Sequence, residues 1–162
     1  MQELEVLSLY DLHSNMVYRI ALSYLRQVQD AEDAVQVVFL KMIEGRAVPE
    51  PGKERAFITR ITVNYCKDVL RSVWKNRVQP LSDEIVFEEK EDRELFDVIM
   101  GLATKYRVVI YMHFYEGYTF SEIADFMKIN TSAVSMRIHR AKKLLKNILG
   151  EDNNAIQLQT NI

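Results

Sequence analysis

A single cysteine, Cys66, rules out any disulfide within the chain, and so low a thiol content fits a reducing compartment. Proline occurs three times and glycine five times in 162 residues, too few for an architecture of short strands and tight turns. No apolar run approaches the roughly 18–20 residues that a membrane span needs, and no basic-then-apolar export signal opens the sequence. A soluble, cytoplasmic protein that is not inserted in a membrane is expected. Histidine is scarce as well. His13, His113 and His139 lie far apart, and none has ligand spacing with Cys66 or a carboxylate pair. With no glycine-rich phosphate loop either, no metal, cofactor or small-molecule substrate is expected, and the chain reads as a binding protein, not an enzyme.

What is abundant is helix-forming. Hydrophobic residues make up 48% of the chain, enough to build cores and to exclude wholesale disorder. Apolar residues at helical spacing (Leu9, Leu12, Met16, Ile20, Tyr24) predict a first helix over about 5–26. A second is predicted from Asp30 as N-cap to Glu44, where Gly45 ends it. Pro49, Pro51 and Gly52 make the next stretch a loop, and a third helix spans about 54–74. Residues 75–94 hold seven acids against four bases, including the run Glu88-Glu89-Lys90-Glu91-Asp92, with Pro80 among them. They read as a flexible acidic linker over 76–93, whose last turn belongs equally well to the next helix. Helical patterns resume over about 94–102, 104–116, 119–127 and 131–149, and 151–162 read as a disordered tail. The expected fold is all-α: a three-helix domain over 1–75, a linker, and a helix-turn-helix domain over 94–150.

The helix-turn-helix is the sharpest local signal. Thr119 and Glu122 form a capping box, with Ile123, Ala124 and Met127 as the inner face of a short helix. A turn follows at Lys128-Ile129-Asn130, with Ile129 plugging the corner. Val134, Ile138, Ala141, Leu145 and Ile148 then fall within about 80° on the next helix. Its other face carries Ser132, Ser135, Met136, His139, Arg140, Lys143 and Lys146. Although the net charge is −2, Lys128–Lys146 contains six bases and no acid. Local field, not net charge, decides whether a face attracts phosphate. Short polar side chains near a helix start suit base edges in a major groove, and cations further along suit phosphates. A merely solvated basic face is the bland alternative. One departure from the common turn is Lys128, where glycine is usual because the left-handed backbone costs glycine little.

Two further faces lie in the first half. Arg60, Asn64, Lys67 and Arg71 recur at i, i+4, i+7 and i+11, opposite an inner line of Ile58, Ile61 and Tyr65, and make a cationic rail suited to a nucleic-acid strand. A solvated basic stripe is the alternative there. On the second helix Ala31, Val35, Val38, Phe39 and Met42 point inward. Val37 and Leu40 lie on the far side among acids, and an acid-rimmed apolar spot suggests a partner unless it merely touches a neighbouring helix.

These motifs stand together in one order. The run Lys105–Thr119, continued through Ser121-Glu122-Ile123-Ala124 and Ser132–Ala141, closely resembles region 4 of extracytoplasmic-function sigma factors. Asp30-Ala31-Glu32-Asp33-Ala34-Val35-Gln36 with Phe39-Leu40-Lys41 looks like region 2.2, and Ile61–Arg71 like region 2.4. The resemblance covers about residues 8–150. It departs at Val37-Val38, where acidic and small polar residues are usual, and at Ala103, where proline is frequent.

The resemblance implies a transcription-initiation factor whose partners are core RNA polymerase, promoter DNA and an anti-sigma factor. Glu32, Asp33, Gln36, Val37 and Leu40 would meet the clamp helices of the polymerase's largest subunit. Arg60, Asn64, Lys67 and Arg71 would meet a melted −10 element, with one base flipped into a pocket formed by Asn64 and the loop Gly45–Lys53. Ser132, Ser135, Met136, His139, Arg140 and Lys143 would meet the −35 element. The linker would thread the polymerase's basic nucleic-acid channel, although a solubilising spacer explains its acidity equally well. At 18 residues it spans up to ~60 Å when drawn out and averages ~24 Å when relaxed, against the ~50 Å that separates the two promoter elements. A stand-alone helix-turn-helix regulator and a helical adaptor without DNA binding are the rival readings.

Overall fold

The computed structural model describes residues 2–76 and 90–149, and every regular element among them is helical. The tail expected over 151–162 and most of the expected linker lie outside the described residues. The helices are α1 (Glu3–Leu25), α2 (Val28–Ile43), α3 (Glu54–Asn76), α4 (Lys90–Gly101), α5 (Thr104–Ile110), α6 (Phe120–Met127) and α7 (Thr131–Leu149). The chain divides into two compact units, the first built on α1–α3 and the second on α4–α7.

In the first unit α1 packs against both α2 and α3. Its carboxy-terminal half supplies the core with Met16, Val17, Ile20, Ala21 and Tyr24. They meet Ala31, Ala34, Val38, Phe39 and Met42 of α2 and Ile58, Val63 and Cys66 of α3. Tyr10 sets its ring against Phe39, edge to face, 5.1 Å between centroids. Burying such a set is the dominant favourable term in folding.

Three expectations need correction here. Leu12 shares the helical spacing of Leu9 and Met16 but is 74% exposed: at 100° per residue it falls about 110° from the middle of the arc that Val6, Val17, Ile20 and Tyr24 bury. Asp30 is not the cap of α2. The helix starts at Val28 after Gln27, and Asp30 sits in the first turn, where a carboxylate still favours the helix dipole. On α3 the buried line is Ile58, Thr59, Thr62, Val63 and Cys66, with Ile61 and Tyr65 only half-buried on its flank. The threonines tolerate burial because their hydroxyls are bonded: Thr62 Oγ1 donates to the Ile58 carbonyl at 2.8 Å and Thr59 Oγ1 to Met16 Sδ at 3.6 Å.

The second unit is fastened by a buried cation. Arg107 of α5, 1% exposed, donates through Nη1 to the carbonyls of Leu102 (2.8 Å) and Met100 (3.4 Å) and through Nη2 to Thr104 Oγ1 (3.1 Å). Those carbonyls lie at the negative end of α4, so a forked cation both satisfies and neutralises them. Beyond Ile110 the helix widens into a π-helical turn, Tyr111–Tyr115, where a regular helix to 116 was expected. Gly117 then turns the chain with φ +75°, and the Tyr118 amide donates to the Met112 carbonyl at 3.0 Å. Tyr111 and Met112 point into the core, and α6 and α7 follow as a helix-turn-helix.

Candidate nucleic-acid interface

The turn between α6 and α7 is built from local bonds. Thr119 Oγ1 accepts from the Glu122 amide at 3.1 Å, and the Glu122 carboxylate accepts from the Thr119 amide at 3.4 Å. This is the reciprocal capping box expected from the spacing. Lys128 adopts the left-handed conformation, φ 58° and ψ 44°, and the Ile129 amide closes the helix end on the Ala124 carbonyl at 3.0 Å. Asn130 Oδ1 accepts from the Ala133 amide at 2.7 Å, so a side chain caps the start of α7.

Val134, Ile138, Ala141 and Leu145 of α7 are buried against the unit, together with Ile123, Ala124, Phe126 and Met127 of α6. Ile148, expected in the same line, is 60% exposed, because α7 outruns the helices that cover its inner face. Ser132, Ser135, Met136, His139, Arg140, Lys143 and Lys146 are all exposed. The structure thus brings the whole predicted −35 set onto one open, acid-free helix face.

Of the rail on α3, Arg60 and Arg71 are exposed and Asn64 and Lys67 half-buried. Asp68 flanks it, 3.7 Å from Arg71 Nη1; an exposed pair this long holds the arginine only weakly. The loop preceding α3 is tied at both ends. Gly45 takes φ +72° and the Arg46 amide donates back to the Lys41 carbonyl at 2.9 Å. The Gly52 amide, at φ +83°, donates to Glu54 Oε1 at 3.0 Å. Hydrogen bonds from its own backbone amide and then from that of Gly52 hold the Glu54 carboxyl below its usual range.

On α2, Glu32, Asp33 and Gln36 are exposed, Val37 is half-buried and Leu40 is 49% exposed. Sequence reading missed Ile43, 44% exposed, which continues the spot one turn on; its i+3 spacing from Leu40 was the available signal. Glu32 raises the pKa of Tyr18 after burial does, and Asp33 does the same for Tyr65. Lys41 Nζ lies over the Tyr65 ring, 5.8 Å from its centroid. Tyr65 is therefore within reach of both the acids of α2 and a lysine, next in sequence to Asn64 of the rail. Burial and Asp33 together push the Asp30 carboxyl upward. Cys66 is fully buried and burial pushes its thiol far up, which leaves it unreactive. Among the described residues no group of His, Cys, Asp and Glu could hold a metal ion, and no helix is long and apolar enough to cross a membrane.

Residues 9–76 match the family described as Sigma-70 region 2, and residues 92–145 match Sigma-70, region 4. The chain is 31% identical, over 83% of its length and 84% of the relative's, to RNA polymerase sigma factor SigV of Bacillus subtilis. It belongs to the extracytoplasmic-function sigma factors of the sigma-70 family. An ECF RNA polymerase sigma factor SigL of Mycobacterium tuberculosis is 28% identical over 89% of this chain and 88% of its own. The fold is that of the sigma factor RpoE of Bartonella quintana, solved in complex with the anti-sigma factor NepR, with a TM-score of 0.75 at 16% identity over 89% of this chain and 96% of that one. This sigma factor is accordingly a transcription initiation factor that directs RNA polymerase to specific promoters, and α6–α7 is the helix-turn-helix of its region 4.

Proposed function

We propose that this sigma factor grips one promoter through a cationic helix face in each unit and holds the polymerase through the outer face of α2. Ser132, Ser135 and Met136 read base edges of the −35 element from the start of α7, while His139, Arg140 and Lys143 hold its phosphates. Arg60, Asn64, Lys67 and Arg71 follow the melted −10 strand, and the loop Gly45–Lys53 receives a flipped base, whose unstacking the site must offset with contacts. Glu32, Asp33, Gln36, Val37 and Leu40 dock on the polymerase. Domains over 1–75 and 94–150 act through the tether 76–93, which raises the effective concentration of the second contact once the first has formed. The protein performs no covalent chemistry of its own, works in the cytoplasm beside its polymerase, and is held inactive by an anti-sigma factor. The solved relative, captured with such a protein, supports that last part.

One observation carries this reading: α7, capped and set by a three-residue turn, presents an exposed face of short polar and cationic side chains without a carboxylate. Run-off transcription from a promoter library with purified core polymerase tests it. Defined start sites should appear only when the sigma factor is added, and Ser135→Ala or Met136→Ala should change which −35 sequences are used. A loss of affinity with unaltered preference would remove base readout from these residues.

A further inference from the structure

α7 carries a row that shares two residues with the −35 set and adds two lysines. Ser135, His139, Lys142 and Lys146 recur at i, i+4, i+7 and i+11 within about 60° of arc, the same spacing as Arg60–Arg71 on α3. Three of them are exposed, but Lys142 is half-buried. Its Nζ lies 5.5 Å from the centroid of the Phe114 ring, and burial holds its pKa below the ordinary lysine value. Phe114 belongs to the π-helical turn and is itself confined. His113 meets it edge-on at 4.9 Å, leans on Phe120 at 4.8 Å, and places Nδ1 2.8 Å from the Tyr118 carbonyl oxygen. One extra residue in a helical turn is costly and is found disproportionately at functional sites.

Lysine is ordinarily a flexible stem whose rotamer freedom is lost on contact. Here the stem is settled on an aromatic ring before any ligand arrives. Lys142 lies at the border between the buried and outer faces of α7, so it faces the wall of a groove that α7 enters, not its floor. The wall of a duplex groove is phosphate.

We infer that Lys142, pinned on Phe114 of the π-helical turn, is a preorganised phosphate contact at the edge of the −35 element, with Phe114 as its positioning residue. This rests on the outer face of α7 being the −35 surface. A lysine that only shields an apolar ring from water would look the same without DNA and behave differently with it.

The test uses holoenzyme assembled from the full chain and a promoter duplex selected by run-off transcription, with affinity measured against salt. Lys142→Met keeps the stem and removes the charge; it should lower the log–log salt slope by about one unit. Phe114→Leu keeps the charge and removes the ring. It should weaken binding about threefold with the slope unchanged, and Phe114→Tyr should restore affinity. In the unaltered chain, reductive methylation of Lys142 should slow when the duplex binds, a readout that survives even if Phe114→Leu unfolds. If Lys142→Met leaves the slope unchanged while Arg140→Ala lowers it, Lys142 is only a cover for the ring and the −35 surface stands. If neither variant moves the slope, that surface and this inference fall together. Full affinity in Phe114→Leu, or methylation indifferent to DNA, also overturns it.

Discussion

Lys128 occupies a backbone conformation, φ 58°, that brings Cβ toward a carbonyl oxygen and costs a non-glycine residue about 1 kcal/mol. Lys128→Gly should therefore raise the stability of the second unit by about 0.5–1 kcal/mol, read as a higher midpoint in urea with an unchanged m-value. His13 of α1 is held below the ordinary histidine pKa, first by burial and then by Arg55 near the start of α3, against an opposing pull from Glu54. A group whose folded pKa is depressed takes up more protons when unfolded, so stability is full above the unfolded pKa of about 6.5 and falls as pH drops through it. The first unit should lose stability between neutral and mildly acid pH. His13→Gln should flatten that part of the profile, and an identical profile in the variant would remove His13 as its source. Cys66 was legible as a small core residue from the sequence, and it is one. Thr59 and Thr62 were not, because hydropathy ranks a threonine by its hydroxyl while the structure has already bonded it.

The corner from α4 to α5 depends on Arg107. Sequence reading saw this arginine only as part of a motif, because a cation with no acid nearby in sequence gives no sign of burial. Its partners are main-chain carbonyls, which no residue pattern encodes. Arg107→Leu would leave the Leu102 and Met100 carbonyls without this donor in a dry interior and should cost about 2–3 kcal/mol, measured by chemical denaturation. Arg107→Lys, which cannot fork between two acceptors, should recover only part of it. The cap at Thr119 is the opposite case. Its Thr-x-x-Glu spacing was readable as a capping box, and its bonds match because capping is local. Thr119→Ala should cost about 1 kcal/mol, seen in the same experiment.

At the scale of the molecule, each unit presents its own faces. The acid-rimmed apolar spot on α2, extended by Ile43, belongs to the first unit, and the acid-free face of α7 to the second. If the outer face of α2 docks on the polymerase as proposed, Asp33→Ala and Leu40→Ser should both reduce co-purification with core polymerase. Because both positions are exposed, the thermal midpoint of the free protein should stay unchanged. Undiminished co-purification would move the polymerase contact elsewhere. A net charge of −2 says nothing of either surface, since it averages an acid-rich middle with a basic carboxy-terminal helix.

Patterns that repeat every turn or bond to near neighbours were complete in the linear chain. The seven helices, the capping box at Thr119 and the opposition of buried and cationic faces on α7 follow from such patterns. The buried line of α3, by contrast, falls partly on Thr59 and Thr62, and the left-handed turn at Lys128 was only one of two conformations open to it. The tertiary structure alone decided how far each pattern is used. Ile148 keeps the right period yet stays in water, because burial needs a partner that reaches that turn, and partner length is not a property of the helix itself. The π-helical turn, the buried guanidinium of Arg107 and the seating of Lys142 on Phe114 likewise arise where separate elements meet. There the free energy of desolvation and packing belongs to the pair and cannot be read from either segment alone.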